Sequence, residues 1–365
     1  MVDVHAHLHY NSLDIIPEAI SPYYAALAYG VTTVHDPSAS NYTVFSQSEM
    51  VETGVTEGPR VFSTGWILYG AESPGMAMIQ SLDDAKKHIR RMKRLGAFTV
   101  KSYMQPRRDQ RQWVLAAARE ESIMVVPEGG GNLEMNMSMI LDGHTGIEHA
   151  LPVTPIYKDV VTLFAKSHTG YTPTLLVAYG GLSGEHWFYQ HDDVWKNEKL
   201  LRFVPRGWLD ARARRRAVMA TDDDWHHMDV AAGAKKVMEA GGHVQLGAHG
   251  QLQGLGAHWE LWGLTQGGMT TAEALRAATI MGAQYIGLDT WIGSIEPGKL
   301  ADFVVLDANP LEDIHNSNRV RYVVKNGEVF NGDNMDRIWP SPKTRPLFPW
   351  ESQGQMLEPL NMMGH

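Results

Sequence analysis

The sequence of 365 residues contains no cysteine, which excludes disulfide bonds and thiolate metal ligands. It has no apolar run of about 18 residues, so we expect no membrane span. It also has neither a Gly-x-Gly-x-x-Gly nor a Walker motif, which argues against a nucleotide cofactor. The net charge is −9, and the basic cluster Arg212-Ala-Arg-Arg-Arg216 stands alone. We therefore interpret this cluster as a solvated helix face and expect no nucleic-acid binding.

The most informative segment present is Val-Asp-Val-His-Ala-His at residues 2–7, which ends an apolar stretch with His5 and His7. Side chains alternate along a β-strand, so these two imidazoles would point to the same side and could bind one metal ion. Taken alone, a His-x-His pair is just as compatible with two solvated histidines. The interpretation therefore depends on further ligands elsewhere in the chain.

Apolar strand patterns and helical patterns alternate along the first 288 residues. This alternation predicts the α/β class and a (β/α)8 TIM barrel, with an open doubly wound sheet as the rival arrangement. We predict a barrel over 1–288, a C-terminal β segment over 289–335 and a loosely ordered Pro-rich tail over 336–365. A polar and aromatic insertion from Tyr179 to about Asp224 interrupts the pattern. The eight predicted strands are Val2–His7, Val31–His35, Arg60–Thr64, Phe98–Tyr103, Ile123–Glu128, Gly146–His149, Tyr171–Val177 and His243–Gly247.

Ionisable side chains stand at or just after the ends of five of these strands. In TIM barrels these ends meet at one face, where the active site lies. A lone His149 or His249 could equally be a packed core residue, but six such groups around one ring favour a metal site. Imidazole and carboxylate groups are suitable ligands for Zn²⁺ or another divalent metal. The six residues are His5, His7, Lys101, Glu128, His149 and His249.

These residues resemble those of the amidohydrolase superfamily, whose members are metal-dependent hydrolases on a (β/α)8 barrel. The resemblance is strongest in residues 2–7, in 256–262 with 271–279, and in Ile292-Gly-Ser-Ile-Glu-Pro-Gly-Lys-Leu-Ala-Asp-Phe-Val-Val-Leu306. The last motif is similar to the imidazolonepropionase and Xaa-Pro dipeptidase branch. The resemblance implies that His5 and His7 bind a first metal, that Lys101 is the lysine that is often N-carboxylated and bridges two metals, and that His149 is the strand-6 histidine.

Two positions depart from the family pattern. Glu128 stands where a histidine is usual, and Gly247-Ala-His249 stands where the family has an aspartate that binds metal and accepts a proton from water. The two changes exchange a His for a carboxylate and a carboxylate for a His, so we predict a rearranged metal site. The departure leaves open whether one or two metals bind. It also leaves open whether His249 or Glu128 transfers the proton, and whether His149 binds metal or stabilises the oxyanion.

The resemblance implies hydrolysis of an amide or related C–N bond in a small molecule, such as a dipeptide or a cyclic amide. We predict Tyr103, Tyr179 and His258 as substrate-binding residues. The alternatives are an esterase, lactonase or carbamate hydrolase on the same site, and a catalytically weak barrel that serves as an interaction module.

The family also builds a small β-sandwich from segments on both sides of the barrel, and only the C-terminal half is recognisable here. We expect a preceding segment or a partner chain, such as a β-propeller, to cover an apolar face with Phe303, Val305, Val323 and Val324. We also expect an oligomer. The chain is also similar to the amidohydrolase part of proteins in which a TolB-like β-propeller precedes the barrel, and such parent proteins are often exported. No signal peptide is recognised before Val2, so the chain as given reads as cytoplasmic and the compartment stays open.

Overall fold

The computed structural model describes residues 1–8, 16–72, 78–215 and 218–352. The strands in these ranges are β1 (Val2–Asp3), β2 (Thr33–Asp36), β3 (Arg60–Ser63), β4 (Leu68–Tyr69), β5 (Thr99–Tyr103), β6 (Met124–Pro127), β7 (Gly146–Glu148), β8 (Gly170–Thr172), β9 (His243–Val244), β10 (Phe303–Leu306), β11 (Val320–Lys325), β12 (Glu328–Asn331) and β13 (Arg337–Trp339).

The helices alternate with these strands up to β9. They are α1 (Ser21–Ala28), α2 (Asn41–Glu52), α3 (Leu82–Arg94), α4 (Arg108–Glu120), α5 (Leu133–Asp142), α6 (Lys158–Ser167), α7 (Gly184–His191), α8 (Glu198–Phe203), α9 (Arg206–Ala213), α10 (His227–Glu239), α11 (Leu255–Gln266), α12 (Thr271–Arg276), α13 (Gly282–Tyr285) and α14 (Pro349–Ser352). A π-helical turn, Ala277–Met281, joins α12 to α13. Among the described residues, no helix is long and apolar enough to span a membrane.

The first nine strands form three parallel sheets in the orders β1-β2-β3, β4-β5-β6 and β7-β8-β9. Single parallel bridges connect the sheets, between Ala6 and His249 and between Glu128 and Glu148. The predicted α/β fold is therefore confirmed as TIM-barrel-like. The predicted closed barrel is not, because in the described part of the chain the hydrogen-bond ladders do not join into one sheet.

The local sequence explains how the first and last parallel strands approach each other. His249 donates its backbone N–H to the carbonyl oxygen of His5 at 2.6 Å. Gly250 has a φ of +78°, and a Cβ at this position would lie 2.1 Å from the carbonyl oxygen of His7. Only glycine fits such a conformation and such a close approach. The segment after β9 therefore lies directly against the end of β1.

One predicted strand was wrong in its second half. The pattern Tyr171–Val177 predicted an extended strand, but β8 ends at Thr172 and Leu175–Val177 is a 3-10 turn. The buried carboxylate of Glu260 accepts the backbone N–H groups of Leu175 and Leu176 at 2.8 and 3.1 Å, which favours the turn over the strand. The apolar run thus reflects burial and not an extended backbone.

The inserted segment is mostly helical and packs on the barrel. It contains α7, α8 and α9, and Phe188 of α7 stacks on the fully buried Trp259 of α11 at 5.1 Å between ring centroids. Within the basic cluster, α9 ends at Ala213, and Arg212 lies over the ring of Trp208. Arg216 lies outside the described residues.

The C-terminal strands form one antiparallel sheet, β10-β11-β12-β13. Its predicted apolar face was wrong, because it combined residues from two faces. Val304 pairs with the buried Val323 on the inner side, whereas Phe303 and Val305 are 38% and 40% exposed on the outer side. The sandwich, its covering segment or partner, a β-propeller and an oligomer all remain predictions.

The first part of the predicted loose tail, as far as residue 352, packs on the rest of the chain. Residues Arg337–Trp339 pair with β12, so the sheet extends past the predicted boundary at 335. Phe348 is fully buried, and Arg345 is ion-paired with Glu351 at 2.5 Å. The pattern of prolines concealed these anchoring contacts. The remainder of the predicted tail, 353–365, lies outside the described residues.

Candidate metal centre

Four histidines from three parts of the chain converge at the ends of the parallel strands. His5 and His7 follow β1, His149 follows β7, and His249 follows β9. The ring centroid of His5 lies 5.4 Å from that of His7, 4.7 Å from that of His149 and 5.0 Å from that of His249. The structure thus brings together the four imidazoles that the sequence indicated.

Each of these imidazoles has a hydrogen-bond partner at Nδ1. His5 Nδ1 lies 2.5 Å from Glu148 Oε2, and His7 Nδ1 lies 2.8 Å from Asp36 Oδ1. The corresponding distances are 2.8 Å from His149 to Thr174 Oγ1 and 3.1 Å from His249 to Gln251 Oε1. We call Glu148, Asp36, Thr174 and Gln251 the four Nδ1 partners. This arrangement leaves the Nε2 atoms of His5, His7 and His249 available for a ligand, as in metal sites whose histidines are oriented by outer hydrogen bonds.

His5, His7 and His249 form a group that fits a metal ion. One ring nitrogen from each lies within 4.8 Å of the others. Burial lowers the pKa of both His5 and His249 well below the usual value, and for His5 the nearby Lys101 adds to this effect. His5 and His249 are therefore neutral at pH 7, which is the state that binds metal.

A second group of polar side chains lies beside the histidines. Lys101 Nζ is 2.5 Å from Glu128 Oε2, and His149 Nε2 is 3.0 Å from Glu128 Oε1. Burial raises the pKa of Glu128, but Lys101 and His149 outweigh burial and hold the pKa well below its usual range. Tyr179 donates its hydroxyl hydrogen to Glu128 Oε1 at 3.0 Å. Glu128 is thus an ionised carboxylate with three partners.

Three residues of the centre have backbone conformations in the left-handed region. The φ values are +73° for His149, +45° for Thr174 and +59° for His249. Such a conformation costs on the order of 1–3 kcal/mol and is notable for a β-branched residue such as Thr174. The surrounding contacts must hold it in place, and the two hydrogen bonds that the backbone N–H groups of Leu175 and Leu176 donate to Glu260 do so. Backbone strain of this kind is typical of functional sites.

The three predicted substrate-binding residues lie in different surroundings. Tyr179 packs against His149 with 4.8 Å between ring centroids, and the half-buried Tyr103 packs against Tyr69 at the end of β5. His258 is wrongly predicted. It is 1% exposed, and its two ring nitrogens contact Ser317 Oγ at 2.9 Å and the carbonyl oxygen of Tyr29 at 2.8 Å, away from the four histidines. Its motif on α11 is structural.

The four Nδ1 partners were missed at the sequence level. Two of them carried a signal, because Asp36 ends β2 and Glu148 directly precedes His149 at the end of β7. Acidic residues at such positions are expensive to bury without a partner, so a histidine was the expected neighbour. Thr174 and Gln251 lie on irregular backbone, where the periodicity of the sequence does not predict the direction of a side chain.

Comparison with known proteins agrees with this geometry. A family model described as Amidohydrolase family matches residues 215–330. The chain is 34% identical over 163 residues to an imidazolonepropionase from Geobacillus sp. (strain WCH70), covering 42% of this chain and 35% of that protein. It is 27% identical over 168 residues to an ochratoxinase from Aspergillus niger, covering 43% and 35%. The matched region thus spans about a third of the length of these curated relatives.

Among solved structures, the chain is similar to a Xaa-Pro dipeptidase with bound methionine in its active site. The TM-score is 0.65 at 20% identity, over 90% of this chain and 85% of that one. At this identity the likeness concerns the fold, which agrees with the TIM-barrel-like order of the strands. The family model over residues 215–330 and the curated relatives support the amidohydrolase superfamily for this chain, and the solved structure agrees in fold.

Proposed function

We propose that this chain is a metal-dependent hydrolase that cleaves an amide or related C–N bond in a small molecule. The observation that carries the proposal is the convergence of His5, His7 and His249, with one ring nitrogen of each within 4.8 Å of the others. Their Nδ1 atoms are already engaged by Glu148, Asp36 and Gln251, so each ring presents Nε2 toward the same region. A packed histidine without a function has no need of this shared orientation.

We propose that His5, His7 and His249 hold one Zn²⁺ or another divalent ion. Three nitrogen ligands with a remaining open position are the usual protein contribution to a catalytic zinc site. A metal ion in such a site supplies Lewis acidity and lowers the pKa of water toward neutrality.

In this proposal Glu128 is the proton carrier. His249 belongs to the metal-binding group, so it is not free to transfer a proton, whereas Glu128 is ionised and lies beside the group. Glu128 would accept a proton from the attacking water at a carboxylate oxygen and deliver it to the leaving nitrogen.

The contacts of Lys101 favour a site with one metal ion over a site with two. A second ion would require an N-carboxylated Lys101 with Glu128 and His149 as ligands, but both Glu128 oxygens already have partners in Lys101 and His149. We propose that Lys101 acts as an ammonium group that keeps Glu128 ionised. Carbon-13 NMR in ¹³C-bicarbonate would report a carbamate on Lys101 if one forms.

The proposed substrate class rests on the similarities. Tyr103 and Tyr179 stand beside Glu128 and would form part of the pocket wall, and in this proposal His149 binds the oxyanion. Similarity to proteins named imidazolonepropionase and Xaa-Pro dipeptidase supports a small amide, either cyclic or a dipeptide.

Elemental analysis of the purified protein, followed by an activity screen, tests the proposal. We expect about one divalent ion per chain and hydrolysis within a panel of dipeptides and cyclic amides, with matched esters, lactones and carbamates as the competing class. Turnover of the esters alone would favour the alternative hydrolase. Metal-free protein that takes up no zinc and turns over nothing would favour an interaction module.

A further inference from the structure

A chain of hydrogen bonds leads from His249 into the inserted segment. His249 Nδ1 lies 3.1 Å from Gln251 Oε1, and Gln251 Nε2 donates to Glu185 Oε1 at 2.8 Å. Glu185 is the second residue of α7 and is only 9% exposed. Its other oxygen, Oε2, has no hydrogen-bond partner among the described residues. A buried carboxylate with one of its oxygens unpaired is costly unless it has a role.

The chemistry of the three groups fixes the direction of each bond. Gln251 Nε2 donates to Glu185 Oε1, so the NH₂ group of the Gln251 amide faces Glu185. The amide oxygen of Gln251 is then turned toward His249, and this oxygen also only accepts. Nδ1 of His249 must therefore carry the ring proton, and Nε2 must carry the lone pair.

We propose that Glu185 is a positioning residue that sets the tautomer and orientation of His249 through Gln251. This inference rests on the proposed function, because His249 Nε2 is one of the three proposed ligand atoms. Among the described residues, the side-chain hydrogen bond of Glu185 goes to Gln251 and not to a histidine. Glu185 acts only by preventing the Gln251 amide from turning its NH₂ group toward His249.

The position of Glu185 gives the inserted segment a role in both parts of the centre. Tyr179, at the start of the same insertion, donates to Glu128, while Glu185 acts on His249. The inserted segment therefore contacts residues of the centre and does not only pack over the strands. Displacing α7 would disturb the ligand His249 and the proton carrier Glu128 together.

Zinc affinity tests the proposal, measured on the full chain by competition with a chromophoric chelator. We expect Glu185→Leu to weaken zinc binding about 10- to 100-fold, the range typical for outer partners of metal ligands. His186→Ala, at the next position of α7, controls for lost helix packing and should bind zinc within about threefold of the wild type.

A double substitution supplies a rescue. Glu185→Gln with Gln251→Glu exchanges the carboxylate and the amide, so that residue 251 still accepts from His249 Nδ1, while the bond between 185 and 251 is kept with its direction reversed, residue 185 now donating to residue 251. We expect this variant to bind zinc within about threefold of the wild type. Gln251→Glu alone should weaken binding, because it places two carboxylates in contact. If Glu185→Leu does not fold, Gln251→Leu breaks the same chain from the other side.

The outcomes separate this inference from the proposed function. Equal zinc affinity in the wild type and in Glu185→Leu would overturn the inference alone, as would equal losses in Glu185→Leu and His186→Ala. A double variant no better than Gln251→Glu would also overturn it. Wild-type protein without measurable zinc affinity would overturn the proposed function and the inference with it.

Discussion

Glu148 holds His5, although the two residues stand 143 positions apart in the chain and Glu148 is itself the neighbour of His149. Its Oε2 atom accepts from His5 Nδ1, while its Oε1 atom accepts from Tyr285 at 2.6 Å and Thr172 at 3.2 Å. Glu148 is fully buried and surrounded by three donors. The end of β7 thus supplies one histidine to the centre and orients another.

Replacing Glu148 by glutamine should disrupt the centre, because an amide NH₂ group would face one of these three donors whichever way it turns. We expect Glu148→Gln to lose about 10- to 100-fold in zinc affinity. The control is Glu134→Gln, at an exposed position on α5, which should not change it. Unchanged zinc affinity in Glu148→Gln would show that His5 needs no carboxylate partner.

His7→Ala should abolish both metal binding and hydrolysis while the chain still folds. The His7 side chain is 28% exposed and lies in the metal-binding group, whereas stability comes from the buried core. Metal content by elemental analysis, hydrolysis rate and far-UV circular dichroism check this expectation. His88→Ala, on the surface of α3, is the matched control. Full activity in His7→Ala would contradict the assignment.

Glu128 and His249 should behave as a coupled pair. Both lie next to His149, since Glu128 Oε1 is 3.0 Å from His149 Nε2 and the rings of His149 and His249 are 5.2 Å apart. Groups that act as a unit give non-additive losses, so removing both should cost less than the sum of the single effects. We expect Glu128→His with His249→Asp to be more active than either single variant. Values of kcat/KM from a double-mutant cycle test this, and strictly additive losses would contradict it.

Zinc binding should persist to a lower pH than ordinary histidines allow. Protons compete with metal for imidazole nitrogen, and burial lowers the pKa of both His5 and His249. For these two ligands, proton competition therefore begins at a lower pH than for an ordinary histidine, whose pKa is about 6.5. We expect zinc affinity to fall less between about pH 8 and pH 6.5 than it would if His5 and His249 were ordinary exposed histidines. A steep loss already between pH 8 and pH 7 would contradict this expectation.

The stability of the metal-free protein should fall with rising pH because of Glu260. Burial raises its pKa from 4.5 to about 8 against the opposing effect of two backbone N–H groups, so the folded state keeps a proton that the unfolded state releases. This contribution is fully present below pH 4.5 and is lost as the pH rises through about 8, with a slope of up to about 1.4 kcal/mol per pH unit.

Glu260→Gln should remove that part of the slope. Asp3 and Glu148, whose burial also raises their pKa values to about 7, contribute equally in both proteins. Urea unfolding from pH 5 to pH 8.5 measures the difference. Parallel curves for wild type and variant would mean that Glu260 is ionised in the fold.

The sequence predicts the ligands of the centre better than their surroundings. Lys101 lies on β5, Glu128 directly follows β6, and His5 and His7 come shortly after β1, so alternation and the common end of the parallel strands predict their direction. Thr174 and Gln251 follow backbone that leaves the strand pattern, so their contacts depend on packing between distant segments.

His258 shows a second limit of prediction from the sequence, since a recognisable motif need not mark a functional residue. Its motif is recognisable, but a histidine on a fully buried helix is satisfied by whichever backbone carbonyl and hydroxyl lie nearest. The motif preserves the packing of α11 and not a contact with substrate. The covered and exposed faces of β10 were likewise misjudged because pairing register is not visible in an apolar run.

The contact between β1 and the segment after β9 also has a consequence for folding. Asp3 Oδ1 accepts the backbone N–H of Ala248, 245 positions away, and His5 and His249 are joined by their backbones. An ion held by His5, His7 and His249 would therefore connect the end of β1 to the segment after β9. By mass action, a ligand that binds only the folded chain adds about 2.7 kcal/mol at a hundred times its Kd. Chelators used during purification would thus remove a stabilising cross-link as well as the ion proposed to take part in hydrolysis. The midpoint of thermal unfolding would then report what fraction of the protein holds a metal ion.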